Sequence, residues 1–264
     1  MKVELLELKE NRVRFLLKGV SAAFANGIRR AALAEVPNLA IDEIALYDNT
    51  SVLFDEQLAL RLGLVPITAE DPSVFSLPEE CQCGGAGCPG CRLDFMVTVE
   101  GPGMVYSRDI KFTDPSVRPV VDTIPLVVLG EGEKVVIEGY ATLGVARSHA
   151  KWNAGTLCGY KNLPKIEIGP ECNGCGKCIA ECARNILVLE AERIKVTDPL
   201  NCSLCKLCVR ACETGAVKVE PVLDCFVLSI EGDGSVKARD MVWMATSEIR
   251  KRAEYLGNWL AEFA

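Results

Sequence analysis

The sequence predicts an α+β protein with a small cysteine-rich insertion. Three observations carry that expectation: strand-like alternation over most of the chain, an amphipathic helical pattern near each end, and eight cysteines in two identical runs. The 264 residues are enough for one large or several small domains. Apolar residues make up 49% and charged residues 25%, so an ordinary core can form without help from a metal. There are 36 acidic against 29 basic residues and no long basic run, which argues against a dominant nucleic-acid surface. No apolar run reaches membrane-spanning length, and the start MKVELLELKE lacks the apolar segment of a secretory leader. The reading is therefore cytoplasmic. Thiols stay reduced there, so 14 cysteines, mostly in tight spacings, point to metal ligation rather than to disulfides.

At the N-terminus, Val3 and Leu5, then Val13, Phe15 and Leu17, alternate with polar neighbours around Lys9-Glu10-Asn11. This predicts a hairpin. Ser21 is placed to cap a helix whose Phe24, Ile28, Ala31 and Ala32 share one face, with Pro37 beyond its end. Arg29 and Arg30 flank that stripe, either as a solvated edge or as a partner contact.

From about 44 to 150 the text is strand-like and rich in Gly and Pro, with FMVTVE, IPLVVL and KVVIEGYATL as its clearest runs. An antiparallel β domain is expected. Within it PEECQCGGAGCPGC brings Cys81, Cys83, Cys88 and Cys91 close together among glycines. Four thiolates suit structural Zn2+, while the irregular Cys-x-Cys arm leaves four reduced, unligated thiols as the other reading. His149, the single histidine, reads as a packing or hydrogen-bonding residue, and Cys158 and Cys225 as lone core residues.

Between Pro164 and Pro170 at one end and Pro221 at the other lies a repeat. Cys172, Cys175, Cys178 and Cys182 map onto Cys202, Cys205, Cys208 and Cys212, and Leu187 and Leu189 onto Val217 and Val219. Three thiolates two residues apart let a loop wrap one face of a cubane, while the fourth, on the helix that follows, reaches the other cluster. The expected ligand sets are Cys172, Cys175, Cys178 and Cys212 for one [4Fe-4S] cluster, and Cys202, Cys205, Cys208 and Cys182 for the second. Gly174 and Gly176 allow backbone N–H groups to turn toward cluster sulfurs. Ferredoxins usually place proline after the fourth cysteine; Ala183 and Glu213 stand there instead, which leaves open a [3Fe-4S] or an unfilled site.

Toward the C-terminus, Phe226, Leu228 and Ile230 alternate as a strand, Gly232-Asp233-Gly234 turns, and Asp240 is placed to cap a long helix. Val242, Ala245, Ile249, Ala253, Leu256, Leu260 and Phe263 form one apolar seam along it. The seam packs either on the chain's own sheet or against a partner subunit. No phosphate-binding glycine loop, nucleophile elbow or clustered aspartate motif is present, which argues against an independent hydrolase or transferase. A ferredoxin-type electron carrier remains as an alternative, although a carrier rarely needs some 200 further residues.

The run FANGIRRAALAEVPNLAIDEIALYDNTSVLFDEQLALRLGLVPI, residues 24–67, resembles the signature of the D-type subunit family of archaeal RNA polymerase, related to the bacterial α and eukaryotic third subunits. GPGMVYSRDI, RSHAKWNAG, the cysteine loop and the eight-cysteine insertion follow in the family's order, so the resemblance covers essentially the whole chain. It implies a split α-subunit-like dimerisation domain of residues 1–43, 152–169 and 220–264. An antiparallel β domain is inserted at 44–151 and a dicluster ferredoxin-like domain at 170–219. It further implies a non-catalytic assembly subunit of DNA-directed RNA polymerase that pairs with subunit L and docks the small N and P subunits and the large B subunit. On this resemblance the helix at 21–36 and the seam from Val242 to Phe263, with Val242, Ile249, Leu256 and Leu260 as contacts, pair with subunit L, and Arg29 and Arg30 become contacts to the large subunit.

Overall fold

The computed structural model describes residues 1–263. Strands β1 (Lys2–Leu8) and β2 (Arg12–Lys18) are neighbours in one sheet. The Lys9 amide donates to the Arg12 carbonyl at 2.7 Å, closing the expected hairpin. Helix α1 (Ala22–Ala34) begins where the Ser21 hydroxyl accepts from the Phe24 amide at 3.3 Å. Its buried stripe is Ala25, Ile28, Ala31 and Ala32; Phe24 is 42% exposed, so the small Ala25 takes the inward position expected for it.

The largest β layer is the sheet β3-β10-β5-β7, formed by β3 (Pro37–Asn49), β5 (Leu93–Glu100), β7 (Lys111–Phe112) and β10 (Lys134–Val145). Its pairings are antiparallel. In β5, Leu93, Phe95 and Val97 point inward and their neighbours outward, the period-two pattern of a sheet with one wet face. Short antiparallel pairs accompany it: β4 (Ile67–Ala69) with β8 (Val117–Pro119), and β6 (Gly103–Tyr106) with β9 (Pro125–Leu129).

The strand-like pattern predicts strands throughout this region, but it contains helix α2 (Asp55–Gly63). Asp55 and Glu56 complement the positive helix start, and Leu58 and Leu62, one turn apart, are buried against β3 and β9. Arg61 Nη1 donates to the Leu126 carbonyl at 2.7 Å. The core here joins Leu58, Leu62, Ile67, Phe95, Leu126 and Ile137.

The chain divides into two compact units. One comprises Met1–Glu7, Arg14–Gly27 and Gly159–Ser229; the other comprises Leu8–Val13, Ile28–Cys158 and residues from 230 onward. In the first, β11 (Gly155–Ile168) leads into α3 (Lys177–Ala180), the hairpin β12 (Leu187–Glu190) and β13 (Arg193–Val196), and α4 (Leu207–Arg210). Then β14 (Val217–Gly232) follows, and the sheet order is β1-β2-β14-β11. Pro164 and Pro221, expected as boundary marks, lie inside β11 and β14, which run on through them. The apolar core of the cysteine-rich segment is small: Ile186, Leu187, Ile194, Val217 and Val219, with Cys178 and Cys202 among them.

Helix α5 (Ala238–Ala261) starts earlier than the sequence suggested. Its N-cap is Lys237, the Ala238 amide donates to the Glu10 carbonyl at 2.9 Å, and Asp240 falls in the first turn instead of capping it. Ala238, Met241 and Ala245 are buried. Met241 fills space left by two glycines, since a Cβ at Gly232 would approach its sulfur to 3.0 Å and one at Gly155 its methyl to 3.2 Å. Packing of the whole seam on the chain's own sheet is not observed: Val242 and Ile249 are half-buried, but Ala253, Leu256, Leu260 and Phe263 are exposed.

Candidate metal centres

Cys81, Cys83, Cys88 and Cys91 converge, with all four Sγ atoms within 4.8 Å of one another. Their separations are 3.4 Å (81–88), 3.5 Å (81–83), 3.5 Å (83–91) and 3.9 Å (88–91). Zn–S bonds of about 2.3 Å in a tetrahedron require S···S edges of roughly 3.8 Å. The donor set therefore fits one four-coordinate metal ion and leaves no room for a cubane. The chain bends this tightly because Gly84, Gly85 and Gly87 take φ of 65°, 82° and 91°. The Cys88 amide and the neighbouring thiols hold the Cys83 thiol down, while the same packing pushes the Cys81 and Cys91 thiols up, so one of the four ionises ahead of the rest.

The two halves of the cysteine repeat share backbone geometry as well as spacing. Positive φ recurs thirty residues apart at Gly174 and Leu204 (68° and 58°), Gly176 and Lys206 (75° and 60°), and Asn185 and Gly215 (51° and 69°). Alternating right- and left-handed residues turn successive N–H groups into a concavity, the arrangement that receives anions and iron–sulfur centres. Gly174 is required on a second ground: a Cβ there would stand 2.6 Å from the Glu192 carbonyl oxygen, in the β12–β13 turn. At Cys202 the Leu204 amide donates to the sulfur at 3.4 Å. Amides also hold thiols below their usual range at Cys205, where Leu207 is the main donor, and at Cys212, after the Thr214 hydroxyl.

The eight cysteines fall into two electrostatic groups. Burial pushes the Cys178 thiol up, and Cys212, Cys175 and Cys172 raise it further. Burial likewise raises Cys208, joined by Cys182, Cys202 and Cys205. A pocket lined by Cys182, Cys202, Cys205 and Cys208, with Ile186 and Val219, brings the second group together. Cys175 and Cys205 are exposed, while Cys178 and Cys202 are buried. The fourth cysteine of each run does not lie on the helix expected to carry it. The short helices α3 and α4 hold the third cysteine instead, Cys178 and Cys208, and the fourth lies just past them. Turns close there, from the Cys182 amide to the Ile179 carbonyl and from the Cys212 amide to the Val209 carbonyl.

Arg29 is half-buried and Arg30 exposed on α1. Burial pushes the Cys158 thiol up to about 11 against the opposing charge of Arg29. His149 Nδ1 accepts from the Lys151 amide at 3.1 Å and its ring meets Trp152 edge-on, a structural role. On α5 the exposed apolar surface is broader than the sequence seam. Leu256 (55% exposed) and Leu260 (54%) are joined by Tyr255 and Trp259, which sequence reading passed over although they repeat at i, i+4. Before this surface begins, Glu35 accepts a hydrogen bond from Arg147 and forms an ion pair with Arg252, which ties the middle of the helix beside the end of α1. Among the described residues no helix is long and apolar enough to cross a membrane.

Comparison with known proteins adds a family. The model of the RNA polymerase Rpb3/Rpb11 dimerisation domain matches residues 14–253. DNA-directed RNA polymerase subunit Rpo3 of Methanosarcina acetivorans is 47% identical over 257 residues, 96% of each chain. The same-named subunits of Methanosarcina mazei and Archaeoglobus fulgidus are 47% identical, covering 97% of each chain, and 39% identical, covering 98% of each.

Proposed function

The chain belongs to the RNA polymerase Rpb3/Rpb11 dimerisation-domain family, and from that premise we propose that it is a non-catalytic assembly subunit of a cytoplasmic DNA-dependent RNA polymerase. The observation that carries this reading is the second half of α5, which presents Tyr255, Leu256, Trp259 and Leu260 to solvent, with Phe263 exposed just past its end. An apolar stripe of that length on a helix is a surface meant to be covered. The occupant is a subunit of L type, with Val242 and Ile249 at the buried end of the contact. The small N and P subunits and the large B subunit dock elsewhere, Arg29 and Arg30 facing the large one.

Residues 1–43, 152–169 and 220–264 serve as the dimerisation domain, 44–151 as the inserted β domain and 170–219 as a ferredoxin-like insertion. In the insertion Cys172, Cys175, Cys178 and Cys212 hold one [4Fe-4S] cluster, and Cys202, Cys205, Cys208 and Cys182 the other. The two electrostatic groups and the paired left-handed turns support those sets. Cys81, Cys83, Cys88 and Cys91 hold Zn2+, supported by the sulfur separations. The clusters stiffen a segment whose apolar core is too small to do so alone.

Co-expression with an L-type subunit tests the scaffold reading. A heterodimer that survives gel filtration is expected. A chain that elutes alone and exchanges electrons with a redox enzyme would instead favour an electron carrier.

A further inference from the structure

Lys161 was not singled out by any motif. It lies on β11, half-buried, and its ammonium donates to the carbonyl oxygens of Leu200 at 2.6 Å and Cys202 at 2.7 Å. Two carbonyls satisfy two of the three N–H groups of an ammonium but do not neutralise its charge. Around it stand Cys202, Arg14, Arg184 and, more weakly, Asp198; Arg14 pairs with Glu7 at 3.9 Å. Among the described residues Lys161 itself has no carboxylate within ion-pair distance. The first cysteine group differs: its nearby cation, Lys177, is exposed and already paired with Glu213. The two halves of the repeat therefore match in backbone but not in charge.

We infer that Lys161 is a positioning residue for the Cys182-Cys202-Cys205-Cys208 centre, tying the Leu200–Cys202 segment to β11 and supplying a fixed positive charge that favours the reduced form of that cluster alone. The inference rests on the iron–sulfur reading above. A one-electron reduction adds one negative charge to a cluster whose thiolates are already anionic. A cation held nearby and partly shielded from water offsets that charge more strongly than a fully solvated one does.

The test uses the full chain purified without oxygen, with iron assayed first; an iron-free native chain overturns the cluster reading before any variant is made. Dithionite titration with mediators, followed by electron paramagnetic resonance, then compares native protein with Lys161→Gln and Lys161→Arg. In Lys161→Gln one of the two reduction waves is expected to move down, its reduced-to-oxidised ratio at the native midpoint falling about tenfold, or about 59 mV for one electron. The other wave stays in place, and Lys161→Arg keeps both. Loss of half the iron in Lys161→Gln but not in Lys161→Arg equally supports the role. Two unmoved waves, two waves moving together, or an Arg variant as impaired as the Gln variant would overturn it.

Discussion

Single residues show how position changes the meaning of one motif. Asp71, Asp114 and Asp233 each accept from the amide and hydroxyl of the serine two residues on. At Asp71 and Asp114 the serine hydroxyl and amide hold the carboxyl below its ordinary 3.8; at Asp233 burial outweighs the same bonds and raises it. The first two therefore add stability that is present above pH 3.8 and lost as pH falls through their folded values. Asp233 contributes stability that is present below pH 3.8 and lost as pH rises through its folded value. Carboxyl-carbon NMR titration should find the three on opposite sides of the ordinary value. Backbone strain gives a second prediction. Gly174→Ala meets both a positive φ and the Glu192 carbonyl, whereas Gly176→Ala has open space and only the left-handed cost of about 1–2 kcal/mol. Thermal unfolding should rank Gly174→Ala as the more damaging, with iron retention following the same order.

Among the elements, α5 changes character along its length. Its first turns are held by Met241, 0% exposed, and its middle by the Arg252–Glu35 ion pair, while its last turns touch nothing of their own chain that buries them. Met241→Ala should lower the stability of the isolated chain by about 2–5 kcal/mol, read by denaturant unfolding. The double change Leu256→Glu and Leu260→Glu should leave that stability within about 0.5 kcal/mol and abolish retention of an L-type subunit in pull-down. The helix was legible from the spacing of Val242, Ala245 and Ile249; where its burial ends was not, because periodicity marks an apolar face without marking what covers it. Helix α2 was missed for a related reason: nine residues carry barely two apolar turns, and the neighbouring strands dominated the pattern.

At the scale of the whole molecule, metal content is the decisive observable. Anaerobic protein should carry iron for two four-iron clusters and one zinc per chain by plasma emission spectrometry. Serine at Cys91 should remove the zinc and leave the iron, because the two cysteine systems lie in different compact units. A chelator that strips the iron should loosen proteolytic protection around residues 170–219 first, where Ile186, Leu187 and Val217 form the small core. By itself the sequence determined what local spacing encodes: the hairpin, both terminal helices, the antiparallel strands, the cysteine repeat and the resemblance that the family match bears out. Tertiary structure alone decided that Phe24 faces out, that α5 is bare beyond its middle and that four sulfurs of the short loop close to within 4.8 Å. It also decided that an unremarked lysine reaches the carbonyl of Cys202. Spacing along a chain constrains neighbours a few bonds apart, whereas burial, convergence and charge balance arise only when distant segments share the same space.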